Sequence, residues 1–149
     1  MKIQCYDKEV TDELMNLLLQ ADPDESAITG YLNDSLILVA LDGVAIVGVT
    51  VLFVDHDQGE LKNISVKDIY QGRGIAKLLI LEAKRVAKVK GATSLKVATG
   101  NSSLSQLALY QKCGFRMQGI RPDFFLSYPE PIFENGIRCL DMVVLSTEL

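Results

Sequence analysis

The sequence predicts a single mixed α/β domain over residues 1–149, with about seven strands and about four helices. Segments with apolar residues at helical spacing alternate with short runs of β-type residues along the chain. An Asp-Gly pair, Asp42-Gly43, splits a long apolar stretch into two strand-length halves. A glycine-rich turn, Gln71-Gly72-Arg73-Gly74-Ile75-Ala76, stands between a strand-like run and a long amphipathic stretch. Of the 149 residues 48% are apolar, enough for one sizeable core. No linker, repeat or low-complexity segment divides the chain.

The elements follow in order. Lys2–Tyr6 is a short first strand. Thr11 caps a helix that carries Asp12 and Glu13 in its first turn and Leu14, Leu17 and Leu18 on one face. Ala21-Asp22-Pro23 breaks it, and a second helix runs from about Asp24 to Leu32. Leu36 to Val54 is almost wholly apolar and about as long as a membrane helix. Its Val, Ile and Thr content and the Asp42-Gly43 interruption instead predict two antiparallel, largely buried strands, Leu36–Leu41 and Val44–Val54, and no membrane span. The turn Asp55–Gly59 leads into a strand from Glu60 to Val66. The helix opened by the glycine turn reaches about Lys90, with a core face of Ile75, Leu78, Leu79, Ala83, Val86 and Val89. Leu95–Thr99 is the next strand. A helix from about Ser103, with Ser103 and Gln106 at capping-box spacing, ends at Gly114. Strands at Phe115–Ile120 and Ile137–Leu145 close the chain. Residues 121–136 between them are long for a hairpin loop and mix aromatics with Asp123, Glu130 and Glu134. Such a segment suits a cleft for a cationic amine, and equally a hydrophobic lid or a dimer contact.

Composition excludes several functions. A net charge of −4 argues against a nucleic-acid partner, because a phosphate backbone requires a basic face. Cys5, Cys113 and Cys139 are far apart, no Cys-x-x-Cys pair exists, and His56 is the single histidine. A zinc site and a Ser-His or Cys-His nucleophile are therefore disfavoured. Free thiols point to a reducing cytoplasm, and the N-terminal residues lack the apolar core of a signal peptide.

The glycine turn carries the chemistry. At a helix start it aims unpaired backbone N–H groups and the positive end of the helix dipole at one place, which suits a phosphate or pyrophosphate. The nucleoside-triphosphate loop does not fit, since no Gly-Lys-Ser/Thr run is present. The dinucleotide fingerprint fails as well. Lys77 stands where its third glycine belongs, and Ser94–Ala98 supplies no acid for a ribose. The pattern present is Gln/Arg-x-x-Gly-x-Gly/Ala, five residues after a strand valine. It resembles motif A of the GNAT N-acetyltransferase superfamily, which cradles the pyrophosphate of acetyl-coenzyme A. A second run resembles that family's signature Asn…Ala-x-x-Leu-Tyr-x-Lys-x-Gly-Phe, matched by Asn101, Ala108, Tyr110, Lys112, Gly114 and Phe115. The resemblance covers Glu60 to Gly119.

The resemblance implies the GNAT acyl-CoA N-acyltransferase fold, with a central mixed, mostly antiparallel sheet. It also implies a direct transfer of acetyl from acetyl-CoA to a primary amine of a small molecule or protein, with no metal. Backbone groups of Ile64, Ser65 and Val66 would line the pantetheine arm and polarise the thioester carbonyl. Gln71, Gly72, Arg73, Gly74, Ile75 and Ala76 would bind the pyrophosphate, with Arg73 adding charge at the rim. Asn101 would bond the pantetheine or the turn that holds it. Tyr110 would protonate the departing thiolate, since a phenol with a reference pKa of about 10 carries its proton at neutral pH. The base is Glu60, which period-two counting puts on one strand face with Lys62, Ile64 and Val66, or else a water relay. Cys113 lacks a partner base and belongs to helix packing. The alternative is a non-catalytic acyl-CoA-binding module on the same fold, against which the retained Tyr110 argues. Relatives in this family often dimerise, so the resemblance leaves a homodimer open.

Overall fold

The computed structural model describes all residues, Met1–Leu149. The helices are α1 (Asp12–Ala21), α2 (Glu25–Leu32), α3 (Ile75–Val89) and α4 (Leu104–Lys112). The strands are β1 (Lys2–Tyr6), β2 (Leu36–Asp42), β3 (Ala45–Asp55), β4 (Gln58–Val66), β5 (Ser94–Gly100), β6 (Arg116–Arg121), β7 (Phe133–Glu134), β8 (Ile137–Arg138) and β9 (Met142–Glu148). Seven strands form one sheet in the order β1-β2-β3-β4-β5-β9-β6, antiparallel except where β4 meets β5. The pair β7-β8 makes a small separate ribbon. No helix is long and apolar enough to cross a membrane.

Each face of the sheet buries its own helices. Leu14, Leu17 and Leu18 of α1 and Ile28 of α2 pack with Ile37, Val39, Val49 and Val51 on one face. On the other face α3 and Tyr110 of α4 pack over Leu38, Ala40, Leu52, Leu61, Ile64, Val66, Leu95 and Leu145. Thr11 caps α1 as its position predicts, its Oγ1 accepting from Leu14 N–H at 3.2 Å. The apolar stretch from Leu36 to Val54 is the expected hairpin, with Leu36 opposite Leu52.

Four local expectations change. The buried stripe of α3 is Ile75, Leu79, Ile80, Ala83 and Ala87, whereas Leu78 and Val89 are 42% and 76% exposed. Ile75 to Leu81 is apolar at every position but Lys77, so counting apolar residues cannot fix the helix rotation. Ser103 does not cap α4, because its hydroxyl donates to Glu134 instead, at 2.8 Å. The last strand is not continuous from Ile137. Residues 139–141 separate β8 from β9, and Asn135-Gly136, with φ of +56° and +73°, turns β7 back onto β8.

The fourth change builds the site. Opposite β3 the register runs Val51 to Asn63 but Leu52 to Leu61, so Lys62 is an extra residue in β4. A bulge bends its strand and increases the local twist. The parallel ladder between β4 and β5 accordingly covers Gln58–Leu61 against Ser94–Val97 and stops there. Both strands continue, to Val66 and Gly100, but apart. The bulge also moves Glu60 off the face that period-two counting assigned it. Leu61, Ile64 and Val66 face α3, while Glu60 alternates with Leu61 to the face of α1.

Candidate functional site

The splay between β4 and β5 leaves the β5-facing backbone of Ile64 and Val66 without a ladder partner, while Ser65 is turned toward β3. Immediately beyond, Gln71 folds the connector, its Nε2 donating to Val66 O at 3.0 Å and to Asp68 Oδ1 at 3.3 Å. Gly72 and Gly74 both hold positive φ, +76° and +79°, which L side chains adopt at a cost, and a Cβ at either would meet nothing within 4 Å. Gly74 thus begins α3 with no side chain over the helix end, and the first intrahelical bond runs from Leu78 N to Gly74 O. The N–H groups of Ile75, Ala76 and Lys77 therefore point forward unpaired. No acidic residue occupies that first turn, and Lys77 does. A lysine there is unfavourable against the helix dipole unless an anion offsets it.

These elements enclose a cavity of about 540 Å³ lined by Ile64, Ser65, Val66, Gln71, Gly72, Gly74, Ile75 and Ala76, and by Leu109 and Gln106 from α4. Nine of the sequence-predicted residues bear on it. Eight line it directly, and Arg73 lies at its rim with its guanidinium 5.0 Å from the Tyr70 ring centroid. The Tyr70 hydroxyl in turn donates to Asp42 Oδ2 at 2.7 Å, which fixes the ring under the arginine. Tyr70, Lys77 and Gln106 were not assigned to the site from the sequence. Lys77 had a signal, a cation in the first turn of a helix.

A second cavity of about 180 Å³ shares Gln20, Ala21, Ile64 and Gln106 with the first and continues to Tyr110, Asn63, Thr99 and Glu134. Tyr110 is 3% exposed, and burial first, then the neighbouring Cys113 thiol, push its hydroxyl above the ordinary phenol range. It keeps its proton throughout the neutral range and is a donor. Asn63 sends its Nδ2 to Leu18 O at 2.9 Å and Tyr31 Oη at 3.0 Å, which ties β4 to α1 and α2. Glu134 is anchored from outside the sheet, its Oε1 accepting from Ser102 and Ser103 at 3.1 and 2.8 Å.

Two predicted residues lie elsewhere. Glu60 lines neither cavity; its carboxylate pairs with Lys62 at 3.0 Å and Lys96 at 3.7 Å. Asn101 lines neither cavity and spends its amide on the break before β9. Its Oδ1 accepts from Leu140 N and Asp141 N at 2.8 and 2.9 Å, and its Nδ2 donates to Arg138 O at 3.1 Å. Burial raises the Cys113 thiol, so it is a poor nucleophile, and His56 is exposed beside Asp55 at 2.6 Å. No group of three or more His, Cys, Asp or Glu side chains is placed to hold a metal ion.

Known proteins share this geometry. The profile of the Acetyltransferase (GNAT) family matches residues 4–115. The uncharacterized N-acetyltransferase YvbK of Bacillus subtilis (strain 168) is 48% identical over 144 residues, 95% of this chain and 93% of that protein. The structure of an IAA acetyltransferase from Bacillus cereus ATCC 14579 has a TM-score of 0.93 at 46% identity, covering 99% of both chains. A GNAT family acetyltransferase from Elizabethkingia anophelis, solved with acetyl-CoA bound, has a TM-score of 0.93 at 42% identity. That match covers 99% of this chain and 97% of the other.

Proposed function

The chain belongs to the GNAT acetyltransferase family, and from that premise we propose that it moves the acetyl group of acetyl-CoA directly to a primary amine of a small molecule or protein. The observation that carries the proposal is the adjacency of the two cavities, which share Gln20, Ala21, Ile64 and Gln106, with the open helix end on the first and Tyr110 on the second. The residues present fit a pyrophosphate-bearing acyl carrier. Three forward-pointing N–H groups, two glycines with no Cβ in the way, and the charges of Arg73 and Lys77 suit a diphosphate. Acetyl-CoA supplies an acyl group activated as a thioester.

The chain's own groups supply the rest. Backbone N–H groups of Ile64 and Val66 orient the pantetheine arm as an added strand edge would, with Ser65 between them, and such donors also stabilise charge on an acyl oxygen. Tyr110 delivers its hydroxyl proton to the departing thiolate sulfur. With Glu60 held between Lys62 and Lys96, the acceptor's surplus proton leaves through water, the other route that the resemblance left open. Cys113 forms no acyl intermediate, so transfer is direct. The three cysteines are all free, which favours a reducing cytoplasm as the compartment.

The test is thermal unfolding with and without acetyl-CoA. At one hundred times its dissociation constant a specific ligand adds about 2.7 kcal/mol of stability. The shift should disappear in Gly74→Glu, which places a carboxylate where the diphosphate would lie. Absence of any shift in the wild type at millimolar acetyl-CoA overturns the proposal.

A further inference from the structure

We propose that Glu134 is the counter-charge for the acceptor's protonated nitrogen, so that the enzyme selects primary ammonium compounds with a slender, uncharged stem. The inference rests on the acetyltransferase reading and goes beyond it, because nothing in that chemistry requires the acceptor site to be anionic.

Glu134 reaches the second cavity on a purpose-built support. The Asn135-Gly136 turn folds β7 back, and Asn135 Nδ2 donates to Ser102 O at 3.0 Å, docking the ribbon against the β5–α4 connection. Both serine hydroxyls then donate to the same carboxylate oxygen, Oε1. Its orientation is fixed while Oε2 is left without a protein partner. No lysine, arginine or histidine pairs with it. Lys62, the cation on the same lining, is engaged with Glu60 and lies 5.5 Å from the Phe53 ring centroid.

A second group points the same way. Asn63 is 5% exposed, and its Oδ1 is the buried side-chain polar atom in the protein that has no hydrogen-bond partner. Glu134 Oε2 and Asn63 Oδ1 are thus two leftover acceptors, set beside the Tyr110 hydroxyl as a donor on the same lining. Glu134 is half-buried with no cation beside it, and a buried carbonyl without a donor is costly. An ammonium head, with three N–H donors and one positive charge, matches the free Glu134 Oε2. A hydroxyl acceptor carries one donor and no charge, and an anionic acceptor is repelled. The cavity of about 180 Å³ admits a narrow stem.

Calorimetric titration of n-butylammonium chloride and n-butanol into the CoA-saturated wild type and Glu134→Gln tests the proposal. Butylammonium should bind the variant about tenfold more weakly or worse, while n-butanol binds both proteins alike. Equal butylammonium affinity in the two, or no binding to the wild type, overturns the proposal. A second measurement needs no variant. Wild-type affinity for butylammonium should fall as NaCl rises from about 0.05 to about 0.5 M while that for butanol holds, and salt-insensitive binding refutes the charge role. The acetyl-CoA thermal shift of the same samples separates the two levels. If it persists in Glu134→Gln while the amine results fail, Glu134 is at fault. If it is missing in the wild type, the acetyltransferase reading falls and this inference with it.

Discussion

Replacing Asn101 by alanine should destabilise the protein and leave its ligand response intact. The side chain makes three hydrogen bonds, accepting at 2.8 and 2.9 Å from Leu140 N and Asp141 N and donating at 3.1 Å to Arg138 O. Residues Leu140 and Asp141 are half-buried, so alanine strands two backbone donors and one acceptor where water replaces them poorly. At about 1 kcal/mol per bond the loss is about 3 kcal/mol. For a domain of this length that lowers Tm by roughly 6–12 °C. The break that Asn101 holds sets the start of β9, whose first pair is Met142 with Gly100, so the damage should appear as earlier unfolding of the sheet's C-terminal side. Circular dichroism melts with and without acetyl-CoA read both quantities. A variant within about 1 °C of wild type that has lost its acetyl-CoA shift would refute the reasoning and make Asn101 a ligand contact.

Tyr110→Phe should lower kcat by about 10²–10⁴-fold with unchanged acetyl-CoA binding, measured by steady-state coenzyme A release and by the thermal shift. A binding module without catalysis would have no turnover to lose. The raised Tyr110 pKa also sets an alkaline limit. Below about pH 10 folded and unfolded states both hold the proton and this group contributes no slope. Above it the unfolded phenol ionises while the native one does not, so stability falls by about 1.4 kcal/mol per pH unit. Urea unfolding of wild type and Tyr110→Phe on both sides of pH 10 isolates that slope, and identical slopes contradict the burial argument. Glu60→Gln should leave turnover within about twofold, since the carboxylate is held by two lysines; a hundredfold drop would restore it as the base.

Much of the fold was legible because local chemistry and global packing agree. Asp42-Gly43, Thr11 and the glycine turn each act over a few residues, and the structure uses each as its local geometry suggests. The residues around the first cavity were legible for the same reason, since a glycine turn, a strand end and a helix start adjoin in sequence. The second cavity was not. It depends on Lys62 being an extra residue in β4, and nothing in Glu60-Leu61-Lys62-Asn63 distinguishes a bulge from regular alternation. Its carboxylate arrives from residue 134, brought by a hairpin whose Asn135-Gly136 signal sat inside a segment read as one loop. Asn101 matched its motif in sequence, yet its hydrogen bonds reach residues 37 to 40 positions away, beyond any local pattern.

The single inserted residue in β4 has a mechanical corollary. It turns one sheet into two leaves, β1 to β4 and β5 with β9 and β6, stitched along the seam by the four register pairs from Gln58–Ser94 to Leu61–Val97. By comparison β5 and β9 are laced along seven. A molecule lodged in the open end of that seam touches both leaves at once and acts as a rivet. Cohesion of the fold and occupancy of the cleft then become one quantity, and the chain is at its stiffest when it is ready to react.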